Sequence, residues 1–285
     1  MAVVNTNISA SIAQAALARN ERALGTAMEQ LSTGRKINSA ADNASGLAIS
    51  ARMTSQIRGL DQAVRNANDA VSMVNTAEGA LDEITDMLQR ARELAVQSGT
   101  GTTSSNDRVF LDAEFDHLIA EIERVSANTQ WNGRNILNGA AGGAATVSGV
   151  SFQVGMDPSQ TIAVNFGNMA SDATMASLNG FGLDATTVAS AIAKASRVIT
   201  AADVAIEAVS TQRATFGAVS NRLEHAIDNL TNVSTQTAAA RSRILDTDYA
   251  ASTSELARTQ IIQQASTAML AQANQLPQTV LALLQ

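Results

Sequence analysis

His117 and His225 are the only imidazoles among 285 residues, and there is no cysteine. The commonest metal sites and nucleophile–base arrangements need a thiolate or two histidines at helical spacing, and no His-Glu-x-x-His run occurs. Asp246 and Asp248, in "LDTDYA", flank a predicted helix start. Carboxylates there accept free N–H groups and favour the helix dipole, so capping outweighs acid–base chemistry. The "GTG" at Gly99 is followed by Thr and Ser rather than by a lysine-bearing turn into a helix, which argues against a phosphate cradle. Asn7, Asn43, Asn229 and Asn232 open Asn-x-Ser/Thr triplets. The last two sit in helical patterns, and the triplets read as chance. These residues predict a protein that is not an enzyme and has no cofactor and no metal.

The composition points to helices. Hydrophobic residues make up 45% of the chain but aromatic residues only 3%, and the two prolines are Pro158 and Pro277. An apolar set dominated by Ala with Leu, Ile and Val favours closely packed helices. A net charge of −7 and a pI near 4.9 work against nucleic acid, which needs basic patches to displace counterions. No run reaches the roughly 18 apolar residues of a membrane span, and the first twenty residues lack the pattern of a cleaved secretory signal. If this protein leaves the cell, another route carries it.

A seven-residue rhythm organises the long segments. Leu60, Ala67, Val74, Leu81, Leu88 and Ala95 fall on one register, with Ile57, Val64 and Val71 as the expected companion row. Val209, Phe216, Leu223, Leu230, Thr237 and Ile244 repeat it in the second half. Strict heptads make paired helices supercoil along an apolar seam. Gly34 in "LSTGRK" ends a first helix that begins near Asn5, and a second runs from near 44 to 98. Asn106 or Asp107 is expected to cap a third, to about Ser126. "GAAGGAATVSG" cannot hold a helix, and "VSFQVGMDPSQTIAVNF" alternates like a hairpin. Helix returns near Ala185, with an interruption at "LDTDYA". The predicted fold is mainly α, long antiparallel helices forming a coiled-coil rod with a small mid-chain β-hairpin.

The two ends carry more apolar surface than one partner helix covers. Ala10, Leu17, Leu24 and Leu31 make one row and Leu256, Ile262, Met269 and Leu276 another, while Ile8, Ile12, Met28, Ile261 and Leu270 lie off them. Val280, Leu281, Leu283 and Leu284 in "LPQTVLALLQ" also need cover. Paired ends would leave an apolar stub, and neighbouring copies of the chain are its expected cover. Without that packing, the ends are expected to be disordered in the free monomer.

Seven blocks now resemble bacterial flagellin: "NTNISA", "LSTGRKINSAADNASGLAIS", "LQRARELAVQS", "ERVSANTQWNGRNILNG", "NRLEHAIDNL", "SRILDTDYA" and "LARTQIIQQASTAMLAQANQLPQTVLALLQ". They cover about residues 1–140 and 187–285. The resemblance implies a structural subunit that polymerises into the bacterial flagellar filament for swimming motility, extracellular after unfolded export through the type III apparatus. It divides the chain into 1–40 and 246–285 as the two halves of the terminal coiled coil, 41–140 and 187–245 as the helical rod domain, and 141–186 as the hairpin with a short variable segment. Expected assembly residues are Ile8, Ile12, Leu17, Leu24, Leu31, Ile261, Ile262, Met269, Leu276, Val280, Leu281 and Leu284. Implied partners are other subunits, an export chaperone, the export apparatus, and the filament cap and hook-filament junction proteins. "QRARELAVQ" is similar to the stretch that a host Toll-like receptor recognises, with Arg90, Leu94 and Glu114 at the matching positions and Ala91 where relatives often carry a branched aliphatic. The plainer reading makes Leu88 and Ala95 core and Arg90, Arg92 and Glu93 a solvated face. A hook-filament junction protein, or a surface adhesin or membrane-active helical protein, is the alternative to the filament subunit.

Overall fold

The computed structural model describes residues 7–139, 141, 149–169 and 177–283, with side chains as far as residue 275 in the last helix. Its long helices are α1 (Ile8–Thr33), α2 (Ala40–Ser98), α3 (Ser105–Asn128), α4 (Val188–Leu245) and α5 (Tyr249–Leu283). Two small antiparallel pairs lie between α3 and α4: β1 (Gln130–Trp131) with β2 (Arg134–Asn135), and β3 (Gly149–Gln153) with β4 (Thr161–Asn165). This is the mainly helical fold with a mid-chain hairpin that the sequence predicts. The chain divides into two compact units. One takes the chain up to Ile57 and from Thr235 onward, and the other is Arg58–Ser234.

In the Arg58–Ser234 unit the heptad rows form the core. Leu60, Ala67, Val74, Leu81, Leu88 and Ala95 are all buried, as the rhythm requires. The companion row differs from the expected one. Val64 and Val71 are half-buried, as is Ile57 just outside the unit, whereas Ala63, Ala70, Ala77, Ile84, Ala91 and Ser98 are fully covered. Most of these are alanine, which hydropathy ranks below valine but which lets two helix backbones approach closely. On α4 the buried row is Ala195, Ala202, Val209, Phe216, Leu223 and Leu230. Thr237 and Ile244, further along the same register, are half-buried. Polar links fix the pairing: Ser234 Oγ donates to Asp61 (3.0 Å), Arg213 pairs with Asp82 (2.9 Å) and Arg92 with Asp203 (2.6 Å). Each step down α2 is matched by an equal step up α4, so the two are antiparallel in constant register.

The third helix closes this core with Phe115, Ile119 and Ile122. Its cap is Ser104, not Asn106 or Asp107. The Ser104 hydroxyl accepts from Asp107 N, and the Asp107 carboxylate accepts from Ser104 N, a reciprocal capping box. Four residues on, Arg108 is almost wholly buried, its guanidinium donating to Ser98 O (3.1 Å) and Thr100 O (3.3 Å) at the end of α2. A cation placed there satisfies carbonyls that the ended helix leaves open and meets the negative end of its dipole.

The β3–β4 hairpin alternates as predicted, with Ile162 and Val164 buried on β4. Phe166 follows and meets the Phe216 ring at a centroid distance of 5.4 Å. Asn66 Nδ2 donates to Gln153 O (3.0 Å) and Gln212 Nε2 to Asn165 O (2.7 Å), tying each strand to a helix. The β1–β2 hairpin is an addition to the sequence reading. Asn132 (φ 50°) and Gly133 (φ 74°) make its two-residue turn, which needs left-handed backbone at both positions.

Candidate assembly interface

The other unit is built around α1 and α5. Asn7 caps α1, its Oδ1 accepting from Ala10 N (3.0 Å), and Gly34 ends it at φ 70°. The first helix therefore starts slightly later than the expected Asn5, and residues 1–6 lie outside the described residues. After Gly34 the connectors bind each other: Lys36 N donates to Leu245 O (2.7 Å) and Thr247 N to Gly34 O (3.1 Å). Asp248 caps α5, accepting from Ala250 N (2.9 Å) and Ala251 N (3.2 Å), as the sequence predicts. Asp246 does not share that role; its carboxylate accepts from Ser242 Oγ (2.6 Å). A helix start admits one N-cap, and Asp248 holds it.

The α1–α5 pair is antiparallel. Asn20 Nδ2 donates to Thr259 O, and Asn7 Nδ2 donates to Ala273 O, both at 2.8 Å. The best-buried positions of the seam are small or polar: Asn20 and Ala27 on α1, Ser252, Thr259 and Ala273 on α5. Ala10, Leu17, Leu24 and Leu31 line it and are half-buried, as are Leu256, Ile262 and Leu270. Two assignments therefore exchange places. Leu270, expected off the row, is packed, and Met269, expected on it, is 66% exposed. The row that runs through Leu256 continues every seventh residue to Leu270, and spacings of six drift off it.

What remains outside is large and apolar. Ile12 is 65% exposed and Ile261 66%, and Ile8 and Met28 are also more than half exposed. The antiparallel register sets Ile12 and Met269 at the same level of the pair. A seam already lined by leucines around small buried residues, with further Ile and Met turned outward, leaves more apolar surface than a pair ending at two helices needs. For Leu276, Val280 and Leu281 only the helical backbone is described, and Leu284 lies outside the described residues.

The remaining predicted positions are in the Arg58–Ser234 unit. Arg90 on α2 binds Glu114 on α3 through Nε (3.0 Å) and a terminal nitrogen (2.8 Å), and also Glu93 (3.1 Å). All three side chains are about half exposed or more. Glu114 first, then Glu93, raise the basicity of the Arg90 guanidinium. Leu94 is not beside them at the surface: it is fully buried, as is Ala91. It falls on the core side of α2, three residues from Ala91 and one from Ala95. His117 and His225 are exposed, and among the described residues no three acidic or histidine side chains are grouped to hold a metal ion. Among them, too, no helix is long and apolar enough to cross a membrane. The buried Arg108 went unpredicted, because an arginine followed by Val-Phe-Leu carries no spacing signal for capping another helix.

Comparison with known proteins agrees with this architecture from end to end. Residues 4–141 match the bacterial flagellin N-terminal helical region and residues 199–284 the bacterial flagellin C-terminal helical region. The chain is 45% identical to a flagellin of Halalkalibacterium halodurans, covering 99% of this chain and all of that one. It is 42% identical to a flagellin of Bacillus subtilis, covering 99% of each. With the flagellar filament 33 kDa core protein of Treponema phagedenis it shares 39% identity, over 99% of this chain and the whole of that protein. Similarity at this level over the full length of the chain, including both terminal helices, places it in the bacterial flagellin family.

Proposed function

We propose that this chain is a structural subunit that polymerises into the bacterial flagellar filament, a motile surface appendage, with the α1–α5 pair as its assembly element. The observation that carries the reading is the large apolar surface the terminal pair leaves outside its own seam, with Ile8, Ile12, Ile261 and Met269 all more than half exposed. Neighbouring copies cover that surface, and by sequence Leu276, Val280, Leu281 and Leu284 join the assembly residues. On this reading Leu17, Leu24, Leu31 and Ile262 hold the pair together and present the outward face. The subunit reaches the extracellular filament by unfolded export, with a chaperone, the export apparatus, the cap and junction proteins as successive partners. Full-length relatives named as flagellins or filament core proteins support this over a junction protein or a lipid-binding adhesin.

Electron microscopy of the purified chain after seeding, beside a version lacking residues 1–40 and 250–285, tests it. Long tubes from the full chain and none from the trimmed one are expected. Tubes from both would remove the terminal pair from the mechanism. A second role, recognition by a host Toll-like receptor, is supported by the exposed Arg90–Glu114 pair. Leu94, buried on the same helix, is the third position of that motif.

A further inference from the structure

The described methionines of this chain span a range of environments. Met73 and Met169 are buried, Met53 and Met87 are half-buried and Met156 between β3 and β4 is 42% exposed, whereas the two most exposed, Met269 at 66% on α5 and Met28 at 54% on α1, are both in the unit that carries the assembly face. With no cysteine anywhere in the chain, the thioether is its most readily oxidised side chain. We infer that Met269, seconded by Met28, is an oxidation site that gates assembly: open to oxidants in the free subunit, closed in the polymer, and blocking polymerisation once oxidised. The inference rests on the filament reading above.

The chemistry is oxygen transfer from a hydroperoxide or a hypohalous acid. The thioether Sδ attacks the terminal or halogen-bearing oxidant atom, and sulfur gives up two electrons. An S–O bond forms as the O–O or O–halogen bond breaks, and the oxidant departs as an alcohol or water, or as halide with a proton. A flexible apolar side chain becomes a polar sulfoxide. On a solvated helix face that change is tolerated. Buried against the Ile8, Ile12 or Ile261 side chain of a neighbouring copy, the sulfoxide oxygen would lose its hydrogen bonds to water and gain none from that side chain. Where α1 and α5 pair, Thr259, Leu270 and Ala273 carry the packing while Met269 stands outside it, so the sulfoxide stays out of the seam. Oxidation should therefore leave the free subunit folded and act on assembly alone. The structure thus separates a site that damages the fold when oxidised, Met73 or Met169, from one that does not.

The test uses the full chain, as free subunit and as seeded polymer, treated with dilute hydrogen peroxide and mapped by peptide mass spectrometry. Met269 and Met28 should gain one oxygen at least ten times faster in the free subunit than in the polymer, with Met73 and Met169 slow in the free subunit. The soluble concentration left at the end of seeded growth should rise about tenfold or more for oxidised chain. It should stay low for oxidised Met28→Leu/Met269→Leu chain, and should fall again after treatment with methionine sulfoxide reductase. Met269→Gln, which is polar without oxidant and keeps helix propensity, should raise it on its own, and circular dichroism of the free chain should be unchanged. If the chain polymerises but Met269 reacts equally fast in the polymer, or if oxidised chain polymerises as well as untreated, the proposal is wrong while the filament reading survives. If untreated chain forms no polymer on seeds, the filament reading itself fails, and the proposal with it.

Discussion

Replacing Ile12 and Ile261 together by alanine removes apolar surface that the subunit does not use for its own fold. The two side chains are 65% and 66% exposed, so about a third of each already packs within the subunit. Each Ile→Ala change deletes three methylene-sized groups at about 0.8 kcal/mol apiece, and about two-thirds of that is realised only on assembly, giving about 1.5 kcal/mol per site. For the pair this is about 3 kcal/mol per subunit, or roughly a hundredfold in the concentration left unpolymerised. Alanine is the stronger helix former, so the helicity of the free chain should hold or rise slightly. The assay is seeded polymerisation followed by sedimentation, reading soluble protein at the end point against circular dichroism of the supernatant. A rise of less than about fivefold, with helicity intact, would mean that neighbouring copies do not cover these residues.

Four further outcomes follow from the geometry. Arg108→Met keeps the buried stem but removes the donors to Ser98 O and Thr100 O; the chain should lose about 2–3 kcal/mol in chemical denaturation, and a loss under about 0.5 would show that other groups satisfy those carbonyls. Leu94→Ala opens a hole in a filled core and should cost about 2–4 kcal/mol, whereas Arg90→Ala breaks an exposed pair and should cost less than about 1. In a cell reporter for the receptor, Arg90→Ala and Glu114→Ala should both weaken signalling without loss of fold; unchanged signalling from both would retire that role. Asp107, held below its ordinary value by the Ser104 hydroxyl and N–H, and Asp42, held down by Ser39 N and then Asn38 N, stabilise the folded chain only while ionised. That contribution is present above the unfolded carboxylate value of 3.8 and is lost as pH falls through the lower folded values. Thermal midpoints should therefore drop from pH 6 to pH 3 by less in Asp42→Asn/Asp107→Asn chain than in the parent, and equal drops would contradict the assignment.

The long elements were legible because their signals are redundant. Leu60 to Ala95 every seventh residue, Gly34 at a helix end and Asp248 at a helix start each state the same boundary that packing later uses. Where reading failed, the competing signal was weak or nonlocal. The Ala63–Ser98 row is invisible to hydropathy because its members are mostly alanine, while Val64 and Val71 attract the eye and sit at the seam's edge. Ser104 lost to Asn106 and Asp107 as a cap because all three are good N-cap residues, and only the Asp107 side chain reaching back distinguishes them. The Asn132–Gly133 turn was present as an Asn-Gly pair but is flanked by strands too short to show alternation. Leu94 is buried by the phase of α2, a fact that matching residue types to a family motif does not reveal.

Filament assembly requires that copies of the chain bury the outward face of the α1–α5 pair. A helical reconstruction of the polymer by electron cryo-microscopy, at a resolution that shows side chains, tests this directly. Ile8, Ile12, Ile261 and Met269 should pack against α1 and α5 of adjacent subunits, with the Asn20–Thr259 bond kept within each chain. Those four side chains facing solvent, with subunits joined only through other surfaces, would contradict it.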